Sequence, residues 1–127
     1  MTSMGEASST TARITFDHAS QAAFDGDGEV VQEWLIDGGE KDATNSRGVT
    51  LLMLASGRGH LRIVNELLHR DAHVNYQDAT GYSALMYAAN NFHAVQHPAV
   101  VIALLKCGAQ LSLRDSCNQT ALQMAER

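Results

Sequence analysis

The chain has 127 residues, 45% of them hydrophobic, which is room for one folded domain and too apolar a composition for global disorder. Fourteen acids against nine bases give a formal charge of −5 with no Lys/Arg block, which argues against nucleic acid as a partner. No apolar run approaches the roughly 20 residues of a membrane span. Cys107 and Cys117 form neither a disulfide framework nor a zinc-finger spacing, so a reducing intracellular compartment is expected, the cytoplasm before the nucleus.

In chain order, residues 1–14 come first, and six Ser/Thr fall among the first twelve positions without the apolar core of a secretory signal; a disordered leader is expected. Residues 15–44 then carry Ala22, Gly26, Val30, Val31, Trp34 and Leu35, which reappear 33 residues later as Ala55, Gly59, Ile63, Val64, Leu67 and Leu68. Within residues 17–45 eight acids stand against Lys41 alone, which suits the polar outer face of a terminal unit. Trp34 falls on the Leu67 core position and is expected to plug the first interface.

Residues 45–77 and 78–114 are two full copies of one unit: Gly48 and Gly81, Thr50 and Ser83, Leu52 and Leu85, and Ala55 and Ala88 are each 33 apart. Beyond Ala89 the spacing becomes 37, because four extra residues sit in NNFHAVQHP, assigned to 92–98. Residues 115–127 repeat only the first third of the unit. Thr50, Ser83 and Thr120 precede apolar runs and are expected helix N-caps. Gly26 and Gly59 are placed to end the first helix in the left-handed conformation. Leu61 to Arg70 reads as a second helix, with Ile63, Val64, Leu67 and Leu68 on one face. Asx-start turns, NSRG and DATG, join the units.

GVTLLMLA, GHLRIVNELL, DAHVN and DATG in one frame resemble the ankyrin repeat over residues 17–127. The resemblance implies an all-α repeat solenoid of about three and a half helix-turn-helix units, joined by β-hairpin-like loops and presenting a concave face. It departs from the pattern where Leu51, Ala84 and Ala121 replace a proline and Asp71 replaces a capping glycine. The function it implies is non-catalytic binding of another protein.

Partner contacts carried over from the family fall on Phe24, Asp25, Arg47, Val49, Arg58, Gln77, Thr80, Tyr82, Asn90, Asn91, Ser116 and Gln119. Tyr82 ranks first, since an exposed tyrosine offers apolar area at small entropic cost; Tyr87 occupies a framework position. Asn75 matches a family position that resembles asparaginyl hydroxylase targets, against the plainer reading of a side chain that ties down the hairpin. Arg47, Arg58, Arg62 and Arg70 make the middle unit basic beside the acidic leading one. A solvated face accounts for this, with steering of an acidic partner as the sharper alternative.

His93 and His97 are four apart, but Pro98 and the insertion argue for a loop and no third ligand is near, so no metal or cofactor is expected. Nucleophile, phosphate-loop and metalloprotease patterns are all missing from the sequence, and no enzyme activity is expected. A monomer is expected, with weak self-association through the unfinished trailing half as the alternative.

Overall fold

The computed structural model describes residues 14–90 and 97–126. The Ser/Thr-rich leader up to residue 13, Asn91 and His93 lie outside the described residues. The helices are α1 (Phe16–Asp25), α2 (Gly28–Ile36), α3 (Leu51–Arg58), α4 (Leu61–His69), α5 (Ala84–Ala89), α6 (Pro98–Lys106) and α7 (Ala121–Glu126). They form three helix pairs and the first helix of a fourth. First helices stack in the order α1, α3, α5, α7 and second helices in the order α2, α4, α6. Among the described residues no strand is formed, and one antiparallel bridge, Thr44 to Thr50, marks the hairpin character of the connecting loops.

Each first helix starts where a hydroxyl satisfies an orphan backbone donor. Thr50 accepts from Met53 N–H at 3.1 Å, Ser83 from Met86 N–H at 3.3 Å and Thr120 from Gln123 N–H at 3.3 Å. Thr15 does the same for α1, accepting from His18 N–H at 3.2 Å. At Thr120 the Gln123 side chain also accepts from the Thr120 N–H at 2.8 Å, which closes a reciprocal capping box.

The first helices end at Gly26 and Gly59, both left-handed, with φ of 90° and 76°. Close approach compounds the need for glycine there. A Cβ on Gly26 would fall 2.7 Å from the His60 ring, and one on Gly59 would fall 2.3 Å from the His97 ring. His60 Nε2 lies 2.9 Å from the Phe24 carbonyl oxygen, so this histidine clamps the first-helix end of the unit before it. His97 therefore holds the regular position of His60, 37 residues on, and Pro98 is the first residue of α6. The insertion expected over 92–98 is narrower at its C-terminal end than the sequence suggested.

Packing follows the same period. Ala55 and Ala88 are fully buried, which lets neighbouring first helices approach closely. On the second helices two pairs of positions divide the work. Ile63 with Leu67 and Val100 with Leu104 face the preceding unit, whereas Val31 with Leu35 and Val64 with Leu68 face the following one. The middle helix buries Ile63, Val64 and Leu67 and half-buries Leu68. α2 buries only Val31 and Leu35, and α6 buries only Val100 and Leu104. Trp34, expected to fill a core position, is instead half-buried, with no unit packed on that side among the described residues. Its ring lies against Phe16, with centroids 5.9 Å apart, and its Nε1–H donates to the Glu40 carbonyl at 3.3 Å.

Two left-handed positions are occupied by residues other than glycine. Asp71, with φ of 62°, stands where Gly38 and Gly108 stand in the other units, and Asn118, with φ of 65°, stands where Gly48 and Gly81 stand.

Candidate functional site

The three connecting hairpins are built on one carboxylate or amide each. Asn45 Oδ1 accepts from the N–H of Arg47 at 2.8 Å and of Val49 at 3.0 Å. Asp78 Oδ1 accepts from the N–H of Thr80 and of Tyr82, both at 2.9 Å, and Asp115 Oδ1 from those of Cys117 at 2.9 Å and Gln119 at 2.8 Å. Such Asx turns pre-order a loop without help from a ligand. The hairpins also bind one another: Ala79 N–H donates to the Arg47 carbonyl at 2.8 Å, and Ser116 N–H to the Thr80 carbonyl at 2.9 Å.

A second set of bonds ties unit to unit and engages the amide of one expected contact residue, Gln77. Gln77 Nε2 donates to the Gly81 carbonyl at 2.8 Å and to the Arg114 carbonyl at 2.9 Å. Asn75 Nδ2 donates to the Gly108 carbonyl at 3.0 Å, and its Oδ1 accepts from Gln110 N–H at 2.8 Å. Asp42, one unit earlier at the same position, accepts from His73 N–H at 2.8 Å. The Asn75 amide thus works as an inter-unit tie. Val49 is buried in the core, so the contact role carried over to it is corrected: its side chain packs inward and offers nothing to a partner. The Thr80 hydroxyl donates to Asp78 Oδ1 at 2.7 Å.

Six expected residues, Phe24, Asp25, Arg47, Arg58, Thr80 and Ser116, keep side chains at the surface. Arg47 and Ser116 are exposed at the hairpin tips. Phe24, 41% exposed, carries the Arg58 guanidinium 4.4 Å above its ring centroid. That stacking holds a cation in one place at the end of α3 while leaving its N–H groups for another acceptor. Asp25 is exposed and receives both bonds of the Gln21 amide at 3.1 Å. Gln119 and Asn90 are half-buried.

Tyr82 is half-buried against Tyr87, with ring centroids 5.2 Å apart and planes at 59°, and Asn90 Nδ2 lies 3.5 Å from its hydroxyl. Tyr87 donates its hydroxyl to Asp78 Oδ2 at 2.5 Å. Burial, and then the Asp78 carboxylate, hold the Tyr87 phenol well above its ordinary range. Tyr87 is therefore the packed framework member of the pair and Tyr82 the outer one.

On the opposite side of the stack, the seam between α4 and α6 forms a groove of about 410 Å³ that sequence reasoning missed. Where the α2–α4 seam is filled by Arg62 and Glu66, the equivalent residues of α6 are Ala99 and Ala103. The substitution of long side chains by small ones was visible in the repeat alignment. It becomes a groove only when α4 and α6 are known to be neighbours. Among the described residues, no group of three His, Cys, Asp or Glu is placed to hold a metal ion, and no helix is long and apolar enough to cross a membrane.

A family model described as ankyrin repeats, in three copies, matches residues 19–115 of the chain. Comparison with curated proteins finds no match.

Proposed function

Because the chain belongs to the ankyrin-repeat family, whose members generally mediate protein–protein interactions, we propose that it is a non-catalytic module that binds another protein through its hairpin tips and first-helix ends. One observation carries the reading. The hairpins spend most of their polar groups on each other, yet Arg47, the Phe24–Arg58 stack and Tyr82 remain on accessible loops and helix ends. A loop set already ordered by Asx turns pays little entropy when a partner docks on it. Aromatic and arginine side chains supply most interface energy. We place the module inside the cell, as a monomer, with Asn91 and Ser116 as flanking contacts. The double engagement of the Asn75 amide favours its structural role over that of a modification target.

The test is recapture of cross-linked partners by purified wild-type chain and by an Arg47→Ala, Arg58→Ala, Tyr82→Ala variant with an unchanged circular dichroism spectrum. Loss of a partner in the variant supports the face, and equal recovery of every partner removes it.

A further inference from the structure

Helix α2 packs on α4 and α4 on α6, so the two seams are successive copies of one interface. Arg62 and Glu66 line the first, where about 60 Å³ stays open. The residues 37 later on α6 are Ala99 and Ala103, and the second seam keeps the groove of about 410 Å³. Shortening two side chains leaves apolar surface uncovered: Ile102 is 53% exposed, Leu61 36%, and Leu68 is half-buried beside them. Both walls belong to complete helix pairs, so the opening comes from the residues that line it and not from an end of the stack.

The charges around this groove have one sign. Lys106 lines it and Arg62 lies on the adjoining surface of α4, and neither has an ion pair among the described residues. Glu66, the one acid lining that surface, is already taken by Arg70 at 2.7 Å. His69 stands on the same wall, its Nδ1 held 2.9 Å from the Asn65 carbonyl oxygen. In a chain of formal charge −5 this is a local patch of opposite sign beside an apolar floor.

We propose that the α4–α6 groove docks an acidic amphipathic helix of another protein, with its apolar side chains on Leu61, Leu68 and Ile102 and its carboxylates on Lys106 and Arg62. Each wall is a helix of nine residues, which makes a channel about 13 Å long. That length suits the i, i+4 and i+7 anchors of helix-in-groove recognition. Charge selects the occupant. A basic helix would set like charges against both cations, and a wholly apolar one would cover them without a partner. A second copy of the chain is the poorer occupant: its acidic helix α2 exposes Glu29 and Glu33 but keeps Val31 and Leu35 in its own stack, which leaves it fewer apolar anchors than a free helix. The site is separate from the hairpin face proposed above and does not depend on it.

The probe is a fluorescein-labelled peptide of residues 27–40, DGEVVQEWLIDGGE, an acidic amphipathic segment titrated with the full chain by fluorescence anisotropy. Saturable binding is expected. Ala99→Arg with Ala103→Glu, which copies the filled seam into the open one, should weaken it at least about tenfold. Lys106→Glu should weaken it about fivefold and, at an exposed site, carries the test if the double variant unfolds. The charge-reversed peptide, Glu29→Lys with Glu33→Lys, should bind the Lys106→Glu chain more tightly than the wild type. Leu105→Glu, on the trailing face of α6, and Tyr82→Ala, on the hairpin face, should leave binding unchanged. No saturation by about 1 mM, or undiminished affinity for both groove variants, overturns the proposal. So does an equal loss with Leu105→Glu or Tyr82→Ala, which moves the peptide to another face, and so does a charge-reversed peptide that binds the wild type as well as the acidic one. Concentration-dependent self-association in sedimentation, abolished by Lys106→Glu, gives the groove to a second copy instead.

Discussion

The two ends of the stack solve the same problem differently. Among the described residues neither end has a neighbouring unit, and at both the second helix carries a pair of apolar residues of the kind an inner unit covers. At the leading end that pair is Val30 and Trp34, and the indole folds over Phe16 and Gly39 so that its apolar area is half covered. At the trailing end the pair is Val101 and Leu105, with no aromatic folded over them among the described residues and a groove of about 260 Å³ alongside. In a repeat fold each unit is stabilised almost entirely by its neighbours, so the identity of the outermost residue decides whether an end is a cap or a socket.

The largest effect expected from this comparison separates two adjacent leucines. Leu104 is fully buried against the preceding unit, and Leu105 points where a following unit would lie. Leu104→Ala should cost about 3 kcal/mol in urea unfolding, a transfer loss plus a cavity. Leu105→Ala should cost about 0.5 kcal/mol, as at other exposed sites. Equal costs would mean that the trailing face is covered. Next in size is Trp34→Ala. A half-buried indole that seals the leading end should be worth about 2 kcal/mol, below the full-burial figure. A change no larger than that of Leu105→Ala would make the two ends alike after all.

The repeat frame was legible because its positions recur at a fixed spacing, and the helix caps because each depends on residues within one turn of each other. Thr50 needs only Met53, and a helix end needs only the next residue's conformation. Ties across units were less legible. Gln77 matches an exposed family position by register, yet its two donors go to carbonyls four and 37 residues away, so its chemistry is spent before a partner arrives. Val49 and Tyr82 share a register position, but one is buried and the other half-buried. Position in the repeat does not decide burial, which depends on how far the side chain reaches past its neighbours. His97 was read as an insertion residue although His60 stands 37 before it, because the changed spacing hid the equivalence.

Two substitutions toward the repeat's own pattern sharpen the contrast between interior and ends. The Ser56 hydroxyl is fully buried without a hydrogen-bond partner in the second unit, where the first and third units have Ala23 and Ala89. Ser56→Ala should raise stability by about 1 kcal/mol, since an unsatisfied buried hydroxyl costs that much or more. A loss instead would show that the hydroxyl has a partner. Asp71→Gly should add about 0.5 to 1 kcal/mol. It relieves a left-handed β-carbon and removes an anion from the negative end of α4. Thermal unfolding of the two variants and their combination should give nearly additive shifts, because neither shares a contact with the other.

The smallest effect is silent at neutral pH and concerns the hairpins that open the third unit and the trailing half-unit. Asp78 carries the Tyr87 phenol, but the residue equivalent to Tyr87 in the trailing unit is Met124, so Asp115 has no titrating partner there. Burial and Asp78 raise the Tyr87 pKa. The folded chain therefore holds that proton more tightly than the unfolded chain, whose tyrosine ionises near its ordinary value of about 10. Stability from this group is fully present below that value and is lost as pH rises from there through the folded pKa, since the unfolded state then binds fewer protons. Tyr87→Phe deletes the effect while keeping the ring on Gly57. The stability gap between wild type and Tyr87→Phe, measured by urea unfolding, should therefore narrow between pH 8 and pH 11, and Met124→Leu should show no such change with pH. A constant gap would mean that Asp78 is held by its backbone donors alone, and the middle hairpin would then be no different from the trailing one.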